Sequence, residues 1–158
     1  MELWELTARE SVRDAIARYN ANGDAGRYDD VVALFTPDAV MELADRQYRG
    51  HGEIRTIFTG AAASFAAQEG FTHLRHLTAT LQIDVRSTTR VDARCYYAVV
   101  MGHGLDHWGR YIDQFELLDD RWLFSHRRVT TDGRANGSTA GLGDALARTP
   151  SDGRWPSA

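Results

Sequence analysis

Asp24 and His76 are the two side chains of this sequence that could perform acid–base chemistry together. Asp24 follows a helix-like segment, and His76 stands at the head of a long run of strand-forming residues. A carboxylate beside an imidazole fixes the tautomer of the ring and raises its basicity, as proton abstraction next to a carbonyl or a leaving group requires. The alternative is structural, with Asp24 as a helix cap or turn residue and His76 as a half-buried strand residue.

Two arginines could stabilise negative charge in such a site. Arg110 and Arg128 lie in predicted strands, where an inward-facing guanidinium could hold an enolate or a carboxylate. Either could instead be solvated or form an ion pair with Asp113 or Glu116. Four aromatic residues could contribute hydroxyls and rings to a pocket, although each could equally serve core packing: Tyr19, Tyr48, Trp108 and Tyr111.

Metal and covalent chemistry are not expected from the spacing of the metal-binding residue types. His73 and His76 are three residues apart, which places them on opposite faces of a strand. His103 and His107 are four apart, roughly 13 Å along a strand, too far to share one ion unless Gly102 and Gly104 form a turn. No phosphate loop, dinucleotide glycine pattern or nucleophile elbow is present. Cys95, flanked by apolar and aromatic residues, is predicted to be a packing residue.

The composition is that of a single globular domain. The chain has 158 residues, of which 43% are hydrophobic and 25% charged, with a net charge of −4. The 18 basic residues are scattered and outnumbered by 22 acidic ones, so nucleic acid is not an expected partner. A single cysteine permits no intrachain disulfide and favours a cytoplasmic location. No signal peptide or membrane-spanning segment is predicted.

The elements that must position these residues begin with helices. The order Thr7-Ala8-Arg9-Glu10 is typical of a capping box, and apolar residues at helical spacing then predict a helix over residues 8–22. Asp24 lies in a turn between two glycines. A second helix is predicted over residues 29–35, ended by Thr36-Pro37, and a third over residues 52–68.

The rest of the chain is predicted to be mostly strand. Residues 40–43 and 47–49 alternate around a short turn and predict a small hairpin. Four longer runs of β-branched and aromatic residues, separated by turn residues, predict strands over residues 72–85, 91–101, 108–118 and 122–131.

This order of elements resembles the nuclear-transport-factor-2-like (NTF2-like) fold, and within it the SnoaL-like, scytalone-dehydratase-like group. Three segments carry the resemblance: residues 24–39, the strand of His76, and residues 109–116 leading into 120–129. The resemblance implies an α+β fold in which a cone-shaped, curved antiparallel sheet wraps around N-terminal helices. It implies one domain over residues 1–131, followed by a C-terminal tail over residues 132–158.

The resemblance also implies a site and a class of reaction. Asp24 and His76 match the catalytic dyad of the group, and Tyr19 matches a tyrosine carried in the first helix of a related dehydratase. The implied activity is a cofactor-free lyase that eliminates water from a small, apolar or polyketide- or steroid-like molecule. The alternatives are an isomerase or cyclase, a ligand carrier without catalysis, or the small subunit of an oxygenase.

The sequence departs from the group at other pocket positions. The two tyrosines that hold a water in the fungal dehydratase correspond to Gly23 and Leu43. Its second pocket histidine corresponds to the region from Asp106 to Trp108, so these two residues join the candidates for substrate contact. Scytalone is therefore not the expected substrate.

The position of His76 in its strand requires an irregularity. His76 alternates in step with Leu74, Thr78, Thr80 and Gln82. The more apolar set is out of step with it and is predicted to be the buried face: Leu77, Ala79, Leu81, Ile83 and Val85. Both sets can face the core only if a bulge or a strong bend lies between them.

Two further expectations concern the tail and self-association. The tail is predicted to pack on the body or on a partner subunit, with a short helix over residues 140–148. A homodimer or a higher homo-oligomer is expected, with the dimer formed through the outer face of the long sheet. Four apolar strand residues exceed what one core needs: Tyr96, Val100, Phe115 and Leu117.

Overall fold

Across residues 1–70 and 73–138, which are those that the computed structural model describes, helices precede a run of long strands. The elements in chain order are α1 (Leu3–Asp24), α2 (Tyr28–Val32), β1 (Phe35–Glu42), β2 (Gln47–Arg49), α3 (Gly50–Ala66), β3 (Leu74–Ser87), β4 (Arg90–Met101), β5 (Gly104–Leu118) and β6 (Arg121–Arg134). This is the α+β arrangement that the sequence predicts.

The six strands form one curved, open sheet in the order β2-β1-β6-β5-β4-β3. The pairs β3–β4, β4–β5 and β5–β6 are antiparallel, as expected. The predicted β1–β2 hairpin is confirmed. The expectation of a wholly antiparallel sheet is wrong at one place, because β1 runs parallel to β6. The sheet does not close, so β2 and β3 are its edges.

The core lies between α1 and the concave side of the sheet. The buried positions of α1 recur every three or four residues, at Ala8, Val12, Ala15 and Tyr19 among others, and therefore form one stripe along the helix. This stripe faces the strands. α1 is thereby fixed against β3 and β6, and its last turn lies next to the start of β3.

Two predicted helix boundaries are corrected. α1 begins at Leu3, and Thr7 lies inside it, where its hydroxyl donates to the carbonyl of Leu3 at 3.0 Å instead of capping the helix. Phe35 belongs to β1, since it pairs with Phe124 of β6 and is buried there. Tertiary pairing thus outweighs the helical pattern before Pro37. No helix in the described ranges combines the length and apolarity needed to cross a bilayer.

The outer face of the sheet carries an apolar patch, with one correction to its predicted members. Phe115 is fully buried in the core and cannot contribute. Exposed apolar side chains do lie on the neighbouring strands β3, β4 and β5, where Leu77 is 57%, Tyr96 43% and Trp108 37% exposed. The homodimer through this face remains a prediction.

The end of the described chain is attached to the body. β6 continues through Arg134, past the expected domain boundary at residue 131, and the backbone N–H of Ala135 then donates to the carbonyl of Asp106 at 2.7 Å. The predicted short helix over residues 140–148 lies outside the described residues.

Candidate functional site

Asp24 was predicted to lie in a turn but is the last residue of α1, and its carboxylate points at the start of β3. Its Oδ2 accepts the backbone N–H of His76 at 2.9 Å, and its Oδ1 accepts from Nδ1 of the same residue at 2.6 Å. The side chain is only 9% exposed. Asp24 does not cap the following helix, because α2 begins after Arg27 with no side-chain cap. The alternative structural role of Asp24 as a cap is therefore wrong.

His76 faces the core because β3 contains a bulge. Ala79 pairs with Tyr96 and Gln82 with Arg94, so β3 has one residue more than β4 over this interval. Thr80 lies in the interval with φ at 55°, a left-handed conformation that is uncommon for a β-branched residue. The bulge brings His76 and Ile83 to the same side of the sheet. The irregularity predicted from the alternation pattern is confirmed. Leu77 and Ala79 were predicted on the buried face, but they precede the bulge and are exposed.

A cavity of about 110 Å³ lies between α1, α2, α3 and the start of β3, and His76 forms part of its wall. Most of its lining is apolar or aromatic. Because Asp24 accepts from Nδ1–H, the lone pair of the imidazole is on Nε2. Within residues 1–70 and 73–138, Nε2 makes no hydrogen bond, and the side chain is 27% exposed. The other lining residues are Tyr19, Asn20, Gly23, Tyr28, Phe58, Ala61, Ala62, Phe65 and Leu74.

Tyr19 separates this cavity from a buried ion pair. Nε and Nη2 of Arg127 donate to the two carboxylate oxygens of Asp113, each at 2.8 Å, and both side chains are fully buried. The guanidinium carbon lies 4.0 Å from the centre of the Tyr19 ring and 4.2 Å from that of Tyr111. Although burial lowers the pKa of Arg127, Asp113 more than compensates, so the pKa is raised and the guanidinium stays charged.

The sequence predicted Arg128, not Arg127, as the inward-facing arginine, and the reason for the error is a second bulge. Gln114 pairs with His126 and Phe115 with Phe124, which leaves Ser125 as an extra residue of β6. Alternation counted from the apolar Phe124 would turn Arg128 inward. The bulge turns Arg127 inward instead, and Arg128 is half exposed beside Glu42. No pattern in the sequence marks this bulge.

A second histidine lies on the other side of Tyr97 from His76. The Tyr97 ring centre is 6.4 Å from that of His76 and 6.0 Å from that of His107. Nδ1 of His107 donates to the buried carboxylate of Asp106 at 2.7 Å. Burial lowers the pKa of His107, and Asp106 only partly opposes this effect.

Asp106 is thus a partner of other protein groups. It is an extra residue of β5, where Val99 pairs with His107 and Val100 with Leu105. Besides His107, its carboxylate contacts Nε2 of His103 at 3.0 Å and accepts from the hydroxyl of Ser138 at 2.8 Å. It is completely buried and does not line the cavity. This geometry does not support the predicted contact between Asp106 and a substrate.

Three other predicted site residues also lie away from the cavity. Arg110 is on the face of β5 opposite to the buried Tyr111, and it donates to Asp132 at 2.9 and 3.1 Å. Trp108 lies on the same outer face, with its ring directly over Gly133. Tyr48 belongs to the edge strand β2 and donates to Asp45 at 3.0 Å. None of the three lines the cavity beside His76.

The remaining chemistry-bearing residues give no second centre in the described part of the chain. Cys95 is buried, and burial raises the pKa of its thiol to about 12, so it is a packing residue as predicted. Over residues 1–70 and 73–138, no three His, Cys, Asp or Glu side chains are arranged to hold a metal ion.

The sequence over residues 4–128 matches the profile of the SnoaL-like domain. The chain belongs to the SnoaL-like domain family. The match covers both Asp24 and His76 and ends just after Arg127. No curated protein matches the chain by sequence.

Solved structures share this SnoaL-like fold at low sequence identity. A candidate scytalone dehydratase of Novosphingobium aromaticivorans superposes with a TM-score of 0.74 at 18% identity, covering 85% of this chain and 91% of that one. LinA gives 0.73 at 17% identity, with 85% and 94% covered. The hexachlorocyclohexane dehydrochlorinase LinA-type3 of Novosphingobium barchaimii gives 0.73 at 14%, with 85% and 93% covered.

These similarities establish the fold of this SnoaL-like protein as the NTF2-like one. Identities of 14 to 18% carry no information on its substrate. The chemistry must therefore be argued from the cavity itself.

Proposed function

We propose that this protein is a cofactor-independent lyase that eliminates water from a small carbonyl compound, with His76 as the general base. The observation that carries the proposal is the orientation of the imidazole. Asp24 holds Nδ1, so the free lone pair of Nε2 is available to a molecule in the apolar cavity.

The reaction would proceed through an enolate. Nε2 of His76 takes a proton from the carbon next to the carbonyl, and the electron pair of that C–H bond moves toward the carbonyl oxygen. When this electron pair returns from the oxygen, a double bond forms between the α- and β-carbons, and the bond from the β-carbon to its hydroxyl group breaks. The imidazolium gives its proton to the departing hydroxide, which leaves as water, and the base is restored. Asp24 stabilises the imidazolium between the two steps.

Tyr19 is suited to stabilise the negative charge on the enolate oxygen. In the described part of the chain, its hydroxyl has only a distant sulfur acceptor, Sδ of Met41 at 4.0 Å, so its proton is free for a stronger acceptor. Burial raises the pKa of Tyr19, which keeps the hydroxyl protonated as a donor. Arg127 lies over the ring of Tyr19, but its charge is paired with that of Asp113, so the pair brings no net charge to the site. Arg110, the cation predicted for the site, lies outside the cavity.

The size of the cavity favours a substrate with a single ring. An apolar cavity of about 150 Å³ in another protein holds a benzene molecule. The cavity beside His76, at about 110 Å³, is of the same order and is too small to enclose a steroid. A small monocyclic compound therefore fits the observed volume better than a polyketide-like or steroid-like molecule.

A β-hydroxyketone with one ring tests this proposal directly. The wild-type protein should accelerate dehydration of 3-hydroxycyclohexanone to cyclohexenone, followed by ultraviolet absorbance. It should also accelerate exchange of the α-hydrogens of cyclohexanone with D₂O, followed by NMR. His76→Gln should lower both rates by about 100-fold or more. The matched control is His126→Gln, since His126 also lies 3.5 Å from a carboxylate, that of Glu42, but away from the cavity.

The outcomes separate the alternatives. If the α-hydrogens exchange but no water is lost, the protein is an isomerase and not a lyase, and the proton returns to another carbon. Binding without exchange would indicate a ligand carrier. Rates equal to those of buffer, or unchanged rates in His76→Gln, would contradict the proposal.

A further inference from the structure

Asn20 is a buried polar residue of the cavity wall that the reaction described above does not use. It lies four residues before Asp24 on α1, so the two side chains share one face of the helix. Its side chain lines the cavity together with Tyr19 and His76, and the residue is only 7% exposed. A buried amide needs hydrogen-bond partners, because an unsatisfied one is costly.

One end of the Asn20 amide has a partner, and the other does not. The hydroxyl of Tyr111 donates to Oδ1 of Asn20 at 3.5 Å. Burial raises the pKa of Tyr111 well above its ordinary value, so this hydroxyl stays protonated and can donate to Oδ1. Among residues 1–70 and 73–138, Nδ2 has no acceptor. Two N–H donors are therefore available at the wall of the cavity.

We infer that Asn20 binds the carbonyl oxygen of an uncharged, single-ring ketone, and that it is a specificity-determining residue of this site. The inference rests on the proposed function, because it places the acidic α-carbon of the ketone next to His76. A carbonyl oxygen has two lone pairs, so Asn20 is a second donor beside the hydroxyl of Tyr19.

The charge of the cavity supports an uncharged ligand. Among the described residues that line it, none is a lysine or an arginine, and the guanidinium of Arg127 is fully buried and bound to Asp113. A carboxylate in this cavity would lose its hydration without gaining a cation. A ketone loses much less hydration free energy, and a neutral N–H donor replaces the hydrogen bond that water had made to its oxygen.

A pair of ligands that differ only in the carbonyl group tests the assignment by binding alone. Cyclohexanone and methylenecyclohexane have nearly the same shape, but only the ketone accepts a hydrogen bond. Their Kd values are measured by NMR titration of the wild-type protein and of Asn20→Leu. The ratio of the two Kd values should shift by about 3- to 10-fold against the ketone in the variant, the value of one hydrogen bond.

Two further variants control for folding and for the position of the amide. In Asn20→Leu/Tyr111→Phe, both partners of the internal hydrogen bond are replaced by apolar groups, which removes the unsatisfied hydroxyl. It should show the same shift in ratio. Asn22→Leu removes an amide two residues further along α1, on the opposite face, where it accepts from Arg27 at 2.9 and 3.0 Å. It should leave the ratio unchanged.

An unchanged ratio in both Asn20 variants would overturn the assignment, as would the absence of saturable binding of either ligand to the wild-type protein. Failure of the proposed function would look different. If the wild-type protein does not exchange the α-hydrogens but the ratio still shifts in Asn20→Leu, His76 is not the base and Asn20 still binds the carbonyl. His76→Gln should keep the wild-type ratio.

Discussion

Asp24 holds His76 at two points, the backbone N–H and Nδ1 of the ring, through the two oxygens of one carboxylate. The first contact attaches the end of α1 to the start of β3. The second fixes the imidazole that β3 carries. The helix end, the strand and the base therefore form one unit, and a change at Asp24 tests both the chemistry and the attachment.

Asp24→Asn separates these two roles. The amide oxygen can still accept the backbone N–H, but the amide nitrogen then faces Nδ1 and donates to it, which moves the ring proton to Nε2. The base is lost, and activity on 3-hydroxycyclohexanone should fall by about two to four orders of magnitude. The melting temperature should stay close to that of the wild type. Asp14→Asn, on the exposed side of α1, is the control, and undiminished turnover in Asp24→Asn would contradict the dyad.

The pair of Arg127 and Asp113 should show strong coupling in stability. Arg127→Met leaves the Asp113 carboxylate buried without its counter-charge and should lower the free energy of unfolding by about 3 to 5 kcal/mol. Arg127→Met/Asp113→Leu removes both charges and should recover most of this loss. Urea denaturation measures both variants. A double variant no more stable than the single one would show that the ion pair is not the source of the loss.

The bulge in β3 predicts an unusual response to glycine. Thr80 has a positive φ of 55°, which glycine adopts without strain, so Thr80→Gly should leave the free energy of unfolding unchanged or raise it by up to about 1 kcal/mol. Thr78→Gly, two residues earlier in the same strand with an ordinary backbone, should lower it by about 1 kcal/mol. Equal losses in the two variants would mean that Thr80 is not strained.

His107 should make the protein less stable at mildly acidic pH. Burial lowers the pKa of this histidine below 6.5, while Asp106 opposes the shift and His76 and Arg134 add to it. Its contribution to stability is therefore present above pH 6.5 and is lost as the pH falls through the folded-state pKa. His107→Asn retains a donor to Asp106 but does not titrate. Its free energy of unfolding, measured in urea from about pH 8 to pH 5, should decline less than that of the wild type. Parallel curves would refute this role.

Self-association through the outer face of the sheet is the remaining prediction. Tyr96 and Leu77 lie on adjacent strands and are among the most exposed apolar side chains of the described sheet. Light scattering should report a dimer at micromolar concentration. Leu77→Lys/Tyr96→Glu should shift it to the monomer with an unchanged circular dichroism spectrum. A monomeric wild-type protein would be contrary to this prediction.

The sequence was sufficient to predict those parts of the fold and of the site that follow from regular patterns or from the family resemblance. The order of helices and strands followed from periodicity, and the resemblance singled out Asp24 and His76. The apolar set out of step with His76 even required the bulge that Thr80 provides. Asn20 could also have been predicted as a site residue, since it lies one turn before Asp24 on the same helix face.

The errors lie where the strands are irregular or where distant strands pair. The extra residue at Ser125 reverses which of Arg127 and Arg128 faces inward, and a bulge of this kind has no fixed sequence signature. Phe35 was predicted as helical because only its partner Phe124, far along the chain, places it in a strand. Local patterns cannot contain such information.

The parallel pairing of β1 with β6 has a consequence for the order of events during synthesis. β1 leaves the ribosome early, yet its main partner is β6, the last strand of the described chain. β1 must therefore wait until the segment from Phe124 to Arg128 has been made. Until then the aromatic side chain of Phe35 lacks its neighbour Phe124, and the edge of β1 opposite β2 is open to wrong contacts. Nascent chains shortened within β6 should therefore depend on chaperones, even though both members of the dyad have already been synthesised.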